Sequence, residues 1–252
     1  MSEPLLRLTT FGGLALLRDG EPVAEQHRQR RYVALLALVA ASGRGSVSRA
    51  RVFELFWPDL PAETGEQALT QSMQVMRRTL GADVLKSDAT TLRIDPTLLR
   101  SDAQEFDSSI VRDPQRAIAL YLGPFMDGFS LDGPPAMDRW LVRKRLRFAQ
   151  RYTMALQTLA TRADRDGDGA AAVRWWRLLV GKDPLNGRAA VGLIQALVHA
   201  GDRRGALQFA SIHTSLVRQE LGTRPDAAIA KWVECLRSAT TDGKVAPTAA
   251  SP

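Results

Sequence analysis

SVSRARVFELFWPDLPAETGEQALTQSMQVMRRTLG, residues 46–81, reads as two helices meeting at a break. Ser48 suits an N-cap, and Val52, Leu55 and Phe56 follow at i, i+3, i+4 spacing, one apolar helical face. Trp57-Pro58 ends that helix, because a residue before proline is pushed out of the α region. Asp59-Leu60-Pro61-Ala62-Glu63 reads as a short loop. The second helix is expected from Gly65 to Leu80, with Gly81 as its stop. On a wheel of about 100° per residue, Leu69, Met73, Met76 and Leu80 form a narrow buried stripe. Gln67, Gln71, Gln74, Val75 and Arg78 lie opposite, with Thr70 and Arg77 on one flank. Glutamine bonds adenine bidentately, arginine bonds guanine or phosphate, and an α-helix fits the major groove, so this face suits DNA. An ordinary amphipathic helix with a solvated polar face would show the same pattern.

Upstream of this stretch, Leu6 and Leu8 alternate with polar neighbours, and Leu14-Ala15-Leu16-Leu17 is a second apolar run. Asp19-Gly20 is a hairpin-turn signal. Arg28, Arg30 and Arg31 lead into an apolar helix, Tyr32 to Ala41, which ends at Ser42-Gly43. Cations at a helix start oppose its dipole, so either a phosphate contact or solubility must favour them. On the other side, Val84-Leu85-Lys86 and Thr91-Leu92-Arg93-Ile94 flank Ser87-Asp88-Ala89-Thr90, a closing hairpin or wing. Strands, three helices and a terminal hairpin make a winged helix-turn-helix whose third helix enters the major groove.

Beyond Asp102 the strand signal vanishes, which suggests a boundary near Leu99–Ser101. Helical patterns follow over about 103–122, 136–164, 169–182, 186–199, 203–220 and 226–239. Leu159, Ala163, Gly167, Asp168 and Ala172 recur 34 residues later as Leu193, Leu197, Gly201, Asp202 and Ala206, the tetratricopeptide period. The fold class is therefore mainly α and multi-domain: an α+β winged helix over 1–100, an all-α tetratricopeptide-like repeat domain over 101–238, and a disordered tail over 239–252.

The chain has 252 residues, 45% hydrophobic and 24% charged, as ordinary globular proteins are. Its longest apolar run is too short to span a bilayer, no secretory signal opens it, and one cysteine, Cys235, permits no internal disulfide. A cytoplasmic, nucleoid-associated protein is expected. A net charge of +7 favours a polyanionic partner. Residues 1–100 nevertheless hold 13 Lys/Arg against 11 Asp/Glu, and residues 101–252 hold 21 against 16. Much of the second excess is the run Arg139, Arg143, Lys144, Arg145, Arg147 and Arg151, read most simply as the solvated face of a long helix, with a phosphate-contacting or partner-facing stripe as the alternative. His27, His199 and His213 show no metal-ligand spacing. Asp164, Asp166 and Asp168 alternate like a calcium loop, but Trp175 stands where a glutamate is needed, so the segment reads as an inter-helix turn. Trp175-Trp176 reads as repeat packing, with an aromatic of a peptide groove as the minority reading. No nucleophile, base and metal assemble, so neither an enzyme nor a cofactor is expected.

Taken together, several stretches carry a family resemblance. They are Phe11-Gly12-Gly13-Leu14, Asp19-Gly20-Glu21-Pro22-Val23, the run from Arg31 to Leu38, Val47-Ser48-Arg49 and Leu55-Phe56-Trp57-Pro58. Further on come Gln67-Ala68-Leu69, the run from Arg77 to Gly81, the run from Tyr121 to Met126, Trp140-Leu141, Asp183-Pro184 and the run from Glu220 to Pro225. In their order and spacing the chain resembles the Streptomyces antibiotic regulatory protein type of transcriptional activator, an OmpR-like winged helix joined to a bacterial transcriptional activator domain. The resemblance implies promoter double-stranded DNA as partner, bound by a homodimer. It also implies an RNA polymerase contact through the loop holding Asp59, Leu60 and Glu63. On this reading Gln67, Gln71, Gln74 and Arg78 face bases, while Arg30, Arg31, Thr70, Arg77, Lys86 and Arg93 face phosphates. Val75 stands where the family carries a basic residue, and the wing tip has an acid, Asp88, in place of glycine and arginine. Each departure is expected to remove about one charge-assisted DNA contact. The alternative reading is a helical-repeat interaction module with weakened or lost DNA binding.

Overall fold

The computed structural model describes residues 6–23, 30–130, 135–224 and 226–242. Two compact units divide after Tyr152. In the first, β1 (Leu6–Thr9) pairs antiparallel with β2 (Ala15–Arg18), which turns at Asp19-Gly20 into β3 (Glu21–Pro22). Both turn residues have positive φ, 52° and 86°, as the hairpin signal anticipates. Helix α1 (Arg30–Ala40) buries every residue from Val33 to Ala40, which is why its apolar run has no polar face. β4 (Ser46–Ser48) leads into α2 (Arg49–Phe56), whose N-cap Ser48 accepts from the Arg51 amide at 3.3 Å. After the Trp57-Pro58 break comes α3 (Ala62–Leu80), ending on Gly81 in the left-handed region. The helix starts three residues earlier than its apolar stripe indicates. Pro61 is its N-cap, so Ala62 and Glu63 are its first turn and not loop. β5 (Leu85–Ser87) and β6 (Thr91–Ile94) form the wing, and β4 pairs with β6.

Leu99–Ser101, where the composition changes, form β7. This strand pairs in parallel with β1 and ends the sheet order β3-β2-β1-β7. It runs directly into α4 (Asp102–Ser109), and α5 (Pro114–Leu120) follows. The single helix expected over 103–122 is thus broken, because Asp113 caps a new helix with Pro114 in its first turn. Asp102 ties this region to β1. Its buried carboxylate accepts from the Thr10 amide (2.7 Å), the Thr10 hydroxyl (2.6 Å), the Phe11 amide (2.9 Å) and the Ala103 amide (2.7 Å).

Two stretches far apart in sequence meet beside it. The Gly12 amide donates to the Pro124 carbonyl at 3.0 Å, and the Met126 amide to Thr10 at 2.6 Å. A Cβ on Gly123 would stand 2.9 Å from the Gly12 Cα, so a side chain there would push the two backbones apart. Phe11, Phe106, Tyr121, Phe125 and Phe148 close over this junction with ring centroids 5.0–6.3 Å apart.

Helix α6 (Pro135–Arg165) begins in this unit, and its cations are not simply a solvated face. Arg145 donates to the Phe125 and Met126 carbonyls at 2.8 and 2.6 Å, and Arg147 and Arg151 pair with Asp107. Lys144 donates to the Ala41 carbonyl at the end of α1 and lies 5.8 Å from the Trp140 ring centroid. The carbonyl ends of helices and loops satisfy cations that the sequence shows only as a charge run. Burial first, then Arg147, pulls the Lys144 pKa from 10.5 down to about 8. The folded chain therefore releases this proton before the unfolded chain does, and stability rises with pH between those two values. Lys144→Met should abolish that rise, measured as the change in urea midpoint between about pH 7.5 and about pH 10.

In the second unit, the rest of α6 is followed by α7 (Gly169–Lys182), α8 (Gly187–His199), α9 (Arg203–Leu221) and α10 (Ala227–Asp242). Helix α10 extends past the start of the expected tail at Ala239, and residues 243–252 lie outside the described residues. The 34-residue repeat is literal in its hydrogen bonds. Gly167 and Gly201 both take positive φ, and the Asp168 and Asp202 amides bond the carbonyls of Ala163 and Leu197. The two aspartates then cap α7 and α9. Asp164 accepts from the Trp176 indole at 2.7 Å, so this acid is part of a packed turn. A Cβ on Gly192 would fall 2.6 Å from the Trp176 ring, which makes the α7–α8 approach dependent on glycine there. His213 is buried, and burial lowers its pKa.

Candidate nucleic-acid interface

Helix α3 buries Gly65, Leu69, Ser72, Met76 and Leu80. Met73, expected in that stripe, is half-buried, and Ser72 takes a buried place by donating to the Ala68 carbonyl at 2.7 Å. Gln67, Gln71, Gln74 and Arg78, spaced four, three and four residues apart, form one exposed stripe, with exposed Thr70 and Arg77 beside it. Among the described residues none of these six side chains makes a hydrogen bond or ion pair. A shallow concavity of about 480 Å³ runs along this face from Glu63 to Gln74. Val75 is half-buried, which explains an apolar residue at that position. At the far end, Arg18 of β2 donates to the Leu80 carbonyl at 2.7 Å and fixes the helix C-terminus.

Arg49 is the site residue that spacing does not reveal. Its guanidinium donates to Ser87 in the wing at 2.7 Å and stands 3.9 Å from Glu66 of α3. Its amide bonds the Thr90 carbonyl at 2.9 Å. One residue at the start of α2 thus braces the wing against α3. The only sequence signal is its place in Val47-Ser48-Arg49.

Asp88 has a structural use at the wing tip. It accepts from the Thr90 and Thr91 amides at 2.9 and 2.7 Å and from both hydroxyls. These bonds hold its carboxyl well below the usual carboxylate range and fix the turn without glycine. Lys86 and Arg93 are exposed, directly opposite in the β5–β6 register, with Lys86 3.8 Å from Asp95.

Arg30 lies 5.2 Å from the Phe129 ring centroid. Arg31 donates to the Phe56 carbonyl at the end of α2 and stacks 5.1 Å from the Trp57 ring centroid. Burial lowers its pKa. Its position opposing the α1 dipole is thus offset by capping the C-terminal end of a different helix. Arg28 falls outside the described residues. Asp59 and Leu60 lie in the exposed α2–α3 loop, Leu60 at 41% exposure, and Glu63 is in the first turn of α3. Among the described residues no helix is long and apolar enough to cross a membrane, and no His, Cys, Asp and Glu cluster could hold a metal.

The family described as "Bacterial transcriptional activator domain" matches residues 99–237, more than half of the chain. A search of curated protein sequences finds no match. Among solved structures, the fold is similar to that of Mycobacterium tuberculosis EmbR in complex with a low affinity phosphopeptide. The TM-score is 0.62 at 16% identity, over 94% of this chain and 66% of that one. The chain spans less than two thirds of that protein's length. Since the match begins at β7 and runs into α10, over more than half of the residues, this chain belongs to the bacterial transcriptional activator domain family.

Proposed function

We propose that this activator reads promoter DNA with α3 in the major groove. The observation that carries the reading is the stripe of Gln67, Gln71, Gln74 and Arg78, exposed and unengaged within the described chain. Glutamine and arginine are the side chains with bidentate reach to adenine and guanine edges. Thr70 and Arg77 flank the stripe, and Lys86 and Arg93 of the wing, with Arg30, meet phosphates on either side. Arg31 contributes by holding α2 in place while its remaining donors reach the backbone. The exposed turn of Asp59 and Leu60, with Glu63, offers an acidic and apolar surface to RNA polymerase. A homodimer on paired half-sites, in the cytoplasm at the nucleoid, completes the reading.

Chromatin capture of the tagged chain, followed by gel shifts on a recovered fragment at two salt concentrations, tests it. A retained preference for the recovered fragment at the higher salt is expected, since base contacts are less salt-dependent than phosphate contacts. Equal binding to scrambled DNA at both concentrations would remove α3 as a sequence reader.

A further inference from the structure

Within the first compact unit, a groove of about 1120 Å³ opens beside the wing. All three residues of β7 line it, together with Arg93 of β6 and residues of α4. β7 ends its sheet, so among the described residues no strand pairs with its outer edge, where the Leu99 amide donates to the Asp95 carbonyl at 3.0 Å and the rest of the edge faces the groove. We propose that this groove binds an extended acidic segment of a partner protein, laid along the outer edge of β7 with a carboxylate on Arg100.

Three observations carry the assignment. The groove's other charges are matched: Lys86 stands 3.8 Å from Asp95, Arg116 lies 3.1 Å from Glu105, and Asp107 is held by Arg147 and Arg151. Arg93 and Arg100 are exposed and make no ion pair or side-chain hydrogen bond among the described residues. Arg100 also stands in register beside exposed Arg7 of β1, a like-charge cross-strand pair that an incoming anion relieves. A guanidinium takes a carboxylate bidentately, and an unpaired strand edge takes an extended main chain. Among the described residues no aromatic side chain lines the groove, so these offer no stacking surface to a nucleobase. The inference does not rest on DNA reading by α3.

The test uses the full chain and a fluorescein-labelled octapeptide alternating Glu and Val, followed by anisotropy at low and moderate salt. Saturable binding is expected, with none for the matching Lys and Val peptide. Arg100→Gln should weaken the acidic peptide at least about tenfold without changing the melting temperature, because Arg100 holds nothing in the described fold. The same variant should bind duplex DNA as the parent does, which separates this site from the α3 surface. Equal binding of the two peptides, or an unchanged affinity for Arg100→Gln, would overturn the proposal. So would displacement of the peptide by a duplex whose own binding requires Arg100, which would make the groove a DNA-backbone track. Self-association of the chain that Arg100→Gln abolishes would instead assign the groove to a second copy.

Discussion

Asp102→Ala should destabilise the first compact unit by about 3–5 kcal/mol, the largest loss expected from a single polar substitution here. Asp102 is 6% exposed and its carboxylate satisfies three backbone amides and one hydroxyl. Alanine leaves the Thr10 and Phe11 amides without acceptors beside the aromatic rings of Phe11 and Phe106. Each orphaned buried donor costs about 1–3 kcal/mol. The effect should appear as an earlier first transition in urea, with amide exchange accelerated at Thr10 and Phe11. Asparagine keeps one acceptor oxygen but turns an amide donor toward other donors, so Asp102→Asn should lose roughly half as much.

The pH dependence of that loss has a definite sign. Burial raises the Asp102 pKa above 3.8, against the opposing pull of its four hydrogen bonds. The folded chain then keeps the proton to higher pH than the unfolded chain. Its contribution is complete below 3.8 and declines as pH rises through the folded value. The stability gap between the parent and Asp102→Asn should therefore narrow as pH rises from 3.8. A widening gap would mean that the four donors outweigh burial and favour the ionised form.

Features set by neighbours in sequence were legible in advance. The Ser48 cap, the Gly81 stop, the Asp19-Gly20 turn and the 34-residue recurrence each depend on contacts within one or two turns of chain. The break at Asp113-Pro114 carried the same kind of signal, an N-cap before a proline, and was obscured by the apolar spacing around it. What stayed hidden depends on distant partners. Nothing local in Leu99–Ser101 states that it pairs with β1, and nothing local in Asp102 names Thr10. Arg31, Lys144 and Arg145 look like surface charge because their partners are carbonyl oxygens at the ends of other segments, and every residue carries a carbonyl. The motifs around Gly12 and Gly123 were visible singly. Their closeness follows from the backbone approach that the missing side chain of Gly123 permits. Within the candidate interface, the polar stripe of α3 was readable from periodicity. Its brace was not, because Arg49 reaches Ser87 38 residues away.

The double variant Gln71→Ala, Arg78→Ala should lower affinity for a captured promoter fragment by roughly 5–150-fold at each base pair contacted, since one bidentate base contact carries about 1–3 kcal/mol of discrimination. Binding to scrambled DNA should change far less, so the ratio between the two is the informative quantity. Both residues are exposed and hold no partner among the described residues, so the variant should melt as the parent does. Arg77→Ala is the matching control on the flank of the same helix. It should weaken all sequences alike and reduce the slope of log affinity against log salt by about one. Arg31→Ala is a poor substitute for that control, because Arg31 also holds the Phe56 carbonyl at the end of α2, and its loss would mix a folding defect with a binding one. If the double variant keeps the parent footprint and specificity ratio, α3 is not the reading element. The exposed stripe would then have to serve a protein contact, and the helical repeat would be left as the part of the chain that selects its partners.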